Sequence, residues 1–250
     1  MPRCLRHCSW VPRSLFAAVS FNDPVQQPYG MHASVMQTRH PCSRIKRVSE
    51  LLPLFPLELV LFPGMALPLH IFEPRYKEMI GECLDHNSPF GIVRVIKDGI
   101  AQIGCSAEIV TVVKRYEDGQ LDIVTQGLRR FEVLEIHQDR SFLQADVTFL
   151  LEEPDEADDA RKKALDLHHS LLLMAASGQA VPSLEPPEEL LSFYLISQLP
   201  VDLDFKQTIL AMPSESKRLA TLIEYYEAIL PKLGRMVQAK KKSGSNGHVM

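Results

Sequence analysis

The stretch LLPLFPLELVLFPGMALPLHIFEPRYKEMIGECL, residues 51–84, decides how the rest of the chain is read. Pro53, Pro56, Pro63 and Pro68 divide its first part into short apolar runs, and Gly64 sits at a turn position. Proline cannot donate to a central ladder, so these runs predict strands at the edge of a sheet or barrel. A fifth proline, Pro74, follows Glu73 and opens a helix, because the N–H it lacks would be unpaired at that position anyway. Tyr76, Met79, Ile80, Cys83 and Leu84 then recur at helical spacing as one apolar stripe. This helix is expected to cover an open end of the sheet. No group in the stretch is poised for chemistry.

Working outward, residues 90–96 (FGIVRVI) form an apolar run of strand length. Residues 103–116 (IGCSAEIVTVVKRY) are β-branched and long enough to bend or carry a bulge. Asp118-Gly119 supplies hairpin turn chemistry. Two alternating strands are expected next, over 121–125 (LDIVT) and 130–136 (RFEVLEI), and a last one over 142–151. At residues 152–159 (EEPDEADD) the composition changes, and six acids in eight residues mark a solvated linker or helix start. Helices are then expected over 160–176, 188–199 and 202–212. Ser214 is a plausible N-cap for a long amphipathic helix whose buried stripe is Leu219, Leu222, Ile223, Tyr226, Ile229 and Leu230. Pro231 should kink or end that helix. The order is strands first, helices after.

The chain has 250 residues, of which 46% are hydrophobic and 23% charged, values of a globular protein with a sizeable core. Its net charge of −4 is unevenly spread. Residues 1–49 hold seven Lys/Arg against Asp23, a surplus of +6, which leaves −10 on the remainder. An acidic body argues against nucleic-acid binding, which needs a basic face. Five cysteines, odd in number and irregular in spacing, do not make a disulfide framework; Cys83 and Cys105 read as small buried hydrophobes. No stretch approaches the ~20 apolar residues of a membrane span. Residues 1–49 lack periodicity and are expected to be a disordered or mis-annotated extension, with Met31 or Met36 as an alternative start. A transit peptide within residues 1–30 is the other reading, because the first twenty residues carry arginines and no acid. Residues 237–250 read as a disordered basic tail.

Candidate chemistry is sparse. Cys4, His7, Cys8, His40 and Cys42 could be drawn as a metal set, but the two clusters lie far apart, and zinc sites use paired ligands at short spacing. His168 and His169 are adjacent on a helix and point apart. His70, between Leu69 and Ile71, is expected to be a hydrogen-bonded core or edge residue. Arg129 and Arg130 read as surface residues at a strand start, and Lys240–Lys242 as a weak electrostatic contact. There is no G-x-x-x-x-G-K-[ST] loop and no G-x-S-x-G elbow. The assignment is therefore no catalytic, cofactor-binding or metal residue, no cofactor, and no named substrate-binding residue.

Residues 52–84 closely resemble the start of the Lon N-terminal domain, the substrate-recognition domain of the ATP-dependent Lon protease. Residues 104–109 (GCSAEI), 127–136 (GLRRFEVLEI), 191–210 (LSFYLISQLPVDLDFKQTIL) and 222–227 (LIEYYE) extend the resemblance over residues 51–233. The family implies an α+β fold: a PUA-like small β-barrel with one inserted helix, followed by a C-terminal α-helical bundle. The corresponding division is 50–153 for the barrel and 154–236 for the helices. It further implies a free-standing substrate-binding-domain protein without the Lon ATPase and protease domains, hence no enzyme. The function expected is a non-catalytic module binding polypeptide or protein clients, unfolded ones among them, or a proteolysis adaptor. The alternative is an RNA-binding PUA-like module, which the acidic body disfavours. No membrane partner is expected, and the location is cytoplasmic, or organellar if residues 1–30 form a transit peptide. The client and the oligomeric state are not legible.

Overall fold

The structure, a computed structural model, describes residues 50–153, 157–176 and 190–245. The first strand, β1 (Glu50–Leu57), contains Pro53 and Pro56. An edge position is expected for such a strand, yet β1 pairs on two sides. Glu50 to Pro53 lie antiparallel to β7 (Gln144–Phe149), and Leu54 to Leu57 lie parallel to β3 (Phe90–Ile96). The strand changes partner halfway, so each half keeps a side where a missing N–H costs no ladder bond. Pro63-Gly64 then turns the chain. Met65 N–H donates to the Phe62 carbonyl (3.2 Å) and Gly64 has φ 76°, the proline-then-glycine order suited to a type II turn. In β2 (Ala66–Ile71) the proline rule holds in its simple form, because β2 pairs only with β6.

Helix α1 (Pro74–His86) begins at Pro74, as its sequence predicts, and ends on Asn87 in the left-handed region (φ 48°). It buries Tyr76, Met79, Ile80 and Cys83 against Phe55, Ile71, Phe90, Ile92 and Cys105 of the sheet. After β3 and the two-residue β4 (Gly99–Ile100) come β5 (Ile103–Arg115) and β6 (Leu121–His137), joined through Gly119 at φ 80°. Residues 121–137 are one strand of 17 residues, where two strands are expected. Gly127 carries it past the expected break. Its N–H donates to Met65 C=O (2.9 Å) and its C=O accepts from Gly64 N–H (2.8 Å), so the 62–65 turn lies directly against β6.

The seven strands of the described residues form one mixed sheet in which β1, β7, β6, β5 and β3 pair in sequence and β3 pairs back to β1, with β2 added on β6. A second core lies between the helices α2 (Asp158–Ala175), α3 (Leu191–Ser197), α4 (Leu203–Ala211) and α5 (Glu215–Ser245). Leu191, Ser192, Phe193, Leu195 and Ile196 of α3 are all buried, in keeping with its apolar sequence. Asp202 caps α4 by accepting from Phe205 N–H (2.8 Å). Pro231 does not end α5, which runs on to Ser245, past residue 237 where a structureless tail is expected.

Sheet and helices are joined by charge. Arg130, expected at the surface, is buried, and so is Arg218. Glu152, half-exposed, bridges them: its Oε1 accepts from Arg130 Nε (3.0 Å) and its Oε2 from Arg218 Nη2 (2.7 Å). Arg130 Nη1 also donates to the Leu210 and Met212 carbonyls (2.9 and 2.6 Å). Arg218 reaches the buried Glu215 (2.8 Å) and Ser192 Oγ (2.8 Å), with its guanidinium over the Phe193 ring. Buried guanidinium groups persist only when paired with carboxylates and hydrogen-bonded in this way.

Candidate functional site

The largest departure from regular pairing lies in β5. Its ladder with β6 shifts register between Ile109 and Thr111 and again between Val112 and Lys114. Val110 and Val113 are the residues left without a partner, and such bulges re-aim side chains. Ile109 and Val112 therefore pack on the core beneath α1 while Val110 and Val113 stand 56% and 60% exposed. The anticipated bulge thus has a consequence: every third residue turns inward, and two valines face solvent.

These valines belong to a three-stranded surface, β2–β6–β5. At its end Asp122 of β6 pairs in register with His70 of β2 and Lys114 of β5. His70 Nδ1 lies 2.6 Å from Asp122 Oδ1, and the Tyr116 hydroxyl donates to Asp122 Oδ2 (2.8 Å). Burial raises the Asp122 pKa, but the hydrogen bonds from His70 and Tyr116 and the charges of His70 and Lys114 outweigh it, holding the carboxyl below its ordinary range. The His70 ring stacks on Phe72, which is 45% exposed, and meets Tyr116 edge-on. His70 is thus an edge residue, not a core one.

The two margins of this surface differ. On the β2 side Pro68 interrupts the row of donors. On the β5 side the ladder with β3 stops at Ala107, so, among the described residues, 108–115 pair with β6 alone, and they contain no proline. An unpaired strand margin beside exposed Val110 and Val113 can accept an added strand. The sequence by itself singles out no binding residue. The signal it held was the surplus length of residues 103–116 relative to 121–125.

The remaining candidates separate as follows. Cys4, His7, Cys8, His40 and Cys42 lie outside the described residues. His168 is buried, with Nδ1 2.8 Å from the Tyr226 hydroxyl, and burial lowers its pKa. Cys83 and Cys105 are buried, and burial pushes the Cys105 thiol up to about 12, away from reactivity. Arg129 places its guanidinium over the Phe149 ring. In the Phe72–Tyr76 block, Arg75 pairs with Glu73 and Tyr76 packs on Phe55, which are structural duties. The acids at 152–153 serve Arg130, Arg218 and Lys217. Among the described residues no three His, Cys, Asp or Glu side chains group to hold a metal ion, and no helix is long and apolar enough to cross a membrane.

A family model for the substrate-binding domain of ATP-dependent protease La (LON) matches residues 51–227. The Lon protease of Flavobacterium johnsoniae is 27% identical over 201 residues, 73% of this chain and 24% of that protein. The Lon protease of Parabacteroides distasonis is 29% identical over 157 residues, 59% of this chain and 18% of that protein. The chain therefore spans no more than 24% of the length of either protease. A Lon N-terminal domain protein from Xanthomonas campestris, known from its crystal structure, is 26% identical with a TM-score of 0.57. That match covers 70% of this chain and 98% of the other.

Proposed function

This chain belongs to the Lon substrate-binding-domain family, and from that premise we propose that it binds polypeptide through the β2–β6–β5 surface. The family membership supports a substrate-recognition module. The finer reading is that apolar segments of unfolded clients lie along residues 108–115 as an added strand, with side chains against Val110, Val113 and Phe72. In that role the protein serves as an adaptor that gathers clients for proteolysis. The circuit of pairings from β1 through β7, β6, β5 and β3 back to β1 supports reading the sheet as a small PUA-like barrel, and α2 to α5 as its accompanying bundle.

The observation that carries the proposal is the exposure of Val110 and Val113 beside a strand margin that has no strand partner among the described residues. Backbone pairing along such a margin is indifferent to client sequence, and the valines add apolar contact. No observation favours the RNA-binding alternative, since the residues from Glu50 onward carry −10.

The test is titration of the full chain with a reduced, alkylated client protein that cannot refold. Val110→Asp/Val113→Asp places charge along the margin without touching the core. Binding should weaken about tenfold, roughly the loss of one or two apolar side-chain contacts. Unchanged affinity in a variant of normal melting temperature would exclude this surface.

A further inference from the structure

The other half of β6 holds a second opening. Its pairing on the β5 side ends where Val133 N–H donates to the Gln102 carbonyl (2.8 Å). The ladder with β7 then shifts between Val133 and Glu135, leaving Leu134 as a bulge residue. Leu134 and Ile136 are 47% and 43% exposed. With Ile100, Ala101, Gln102 and Val133 they line an open groove of about 330 Å³.

The chemistry around this apolar groove is one-sided. Glu135 stands opposite Asp146 across the β6–β7 ladder. His137 Nε2 lies 3.0 Å from Asp146 Oδ2. That hydrogen bond, with the charges of Asp146, Glu135 and Asp139, raises the His137 pKa. Glu132 receives the Gln102 side-chain amide (2.8 Å). The arginines near these residues in sequence are engaged elsewhere: Arg94 with Asp204 (2.7 Å), Arg140 with Glu78 and Glu82, Arg130 with Glu152 (2.8 Å), and Arg129 over the Phe149 ring. Lys97, in the turn between β3 and β4, is the remaining cation nearby in sequence. Residues 50–227 as a whole carry 15 Lys/Arg against 30 Asp/Glu, a balance of −15.

We infer that this groove docks an extended polypeptide segment in which apolar side chains alternate with Lys or Arg. The apolar side chains enter between Ile100, Leu134 and Ile136. The cations meet Glu135, Asp139 and Asp146, and the backbone runs beside residues 134–137 of β6, which pair with no strand on that side among the described residues. Charge complementarity selects the occupant: an acidic or neutral segment would gain the apolar contact but not the ion pairs. The inference rests on the polypeptide-binding reading for the class of ligand, and on its own residues for the site. The first opening runs along β5 beside Leu121–Gln126 of β6, and the second begins about ten residues further along β6, roughly 30 Å, so one segment does not fill both by the same side chains.

Fluorescence anisotropy with three labelled synthetic peptides of equal length, alternating Leu/Lys, Leu/Gln and Leu/Glu, tests it on the full chain. The Leu/Lys peptide should bind about tenfold tighter than Leu/Gln, as two or three surface ion pairs allow. The advantage should collapse near ~0.5 M salt, where the screening length is a few ångströms. Glu135→Lys/Asp139→Lys should erase the preference while leaving Leu/Gln binding in place. Leu134→Ser/Ile136→Ser should weaken Leu/Lys binding. Equal affinity for the three peptides, or Leu/Lys binding unmoved by both variants, overturns the inference. Loss of client binding in Val110→Asp/Val113→Asp alone would then leave the broader polypeptide reading standing. If no peptide binds, the groove inference falls, and the unfolded-client titration judges the broader reading separately.

Discussion

Gly127 shows how one residue can set the contact between two parts of this fold. A Cβ built there would lie 2.3 Å from the Phe62 carbonyl oxygen, a distance no side chain tolerates. The obstacle is backbone, already held by the Gly64 and Met65 hydrogen bonds, so it cannot step aside. Gly127→Ala should therefore lose about 1–3 kcal/mol, the range for overpacking, read as a lower urea midpoint. Gly81 makes the matching control, because a Cβ there meets nothing within 4 Å on α1. Gly81→Ala should gain about 0.5–1 kcal/mol from helix propensity alone. Both residues look alike in the sequence. Gly127 was legible as part of a family-like run, GLRRFEVLEI, but its reason for being glycine is the Phe62 backbone, far upstream at the start of the turn through Pro63-Gly64.

At the scale of elements, type was legible and extent was not. The α1 stripe, the short helix α4 and the β3 run follow from local patterns of apolar residues. The continuity of β6 does not, because Gly127 reads as a break until the Phe62–Met65 turn supplies its partners. Helix α5 makes the same point with proline. Pro231 has no N–H to give the Glu227 carbonyl, yet the helix continues to Ser245. Residues before it are anchored by Leu219, Leu222, Ile223 and Tyr226 in the helical core, and the segment after it retains helical backbone. Pro231→Ala restores the missing donor, so amide exchange in the turn on either side should slow by several-fold, measured by hydrogen–deuterium exchange. Equal exchange would mean that the turn is held by packing and not by its ladder.

For the whole molecule, the decisive feature is the ionic joint between sheet and helices. Its two arginines are equally buried but differently partnered. Arg218 neutralises Glu215, which is itself buried, whereas Arg130 shares the half-exposed Glu152. Replacing Arg218 by Met strands a buried carboxylate and should cost about 3–5 kcal/mol. Arg130→Met leaves Glu152 free to turn to water and should cost less, although it also abandons the Leu210 and Met212 carbonyls. Chemical denaturation of the two variants checks the order. Arg218→Met no worse than Arg130→Met would show that Glu215 finds compensation in Ser192, which donates to it through both backbone N–H and hydroxyl.

The family, the strand-then-helix order and the buried stripes were determined by sequence alone, because proline placement, helical periodicity and turn pairs act over a few residues. The β5 margin, the groove beside Leu134 and the Arg130–Glu152–Arg218 joint were decided by tertiary structure. Val110, Val113 and Leu134 look like core residues in a strand pattern. They are exposed because single-residue register shifts against β6 and β7 leave them outside the alternation. Arg130 looks like a surface residue and is buried because partners 22 and 80 or more positions away close around it. A local pattern tells which way a residue would face in a regular ladder. Only the pairing of distant strands decides where the ladder stops being regular, and in this protein both candidate binding surfaces lie there.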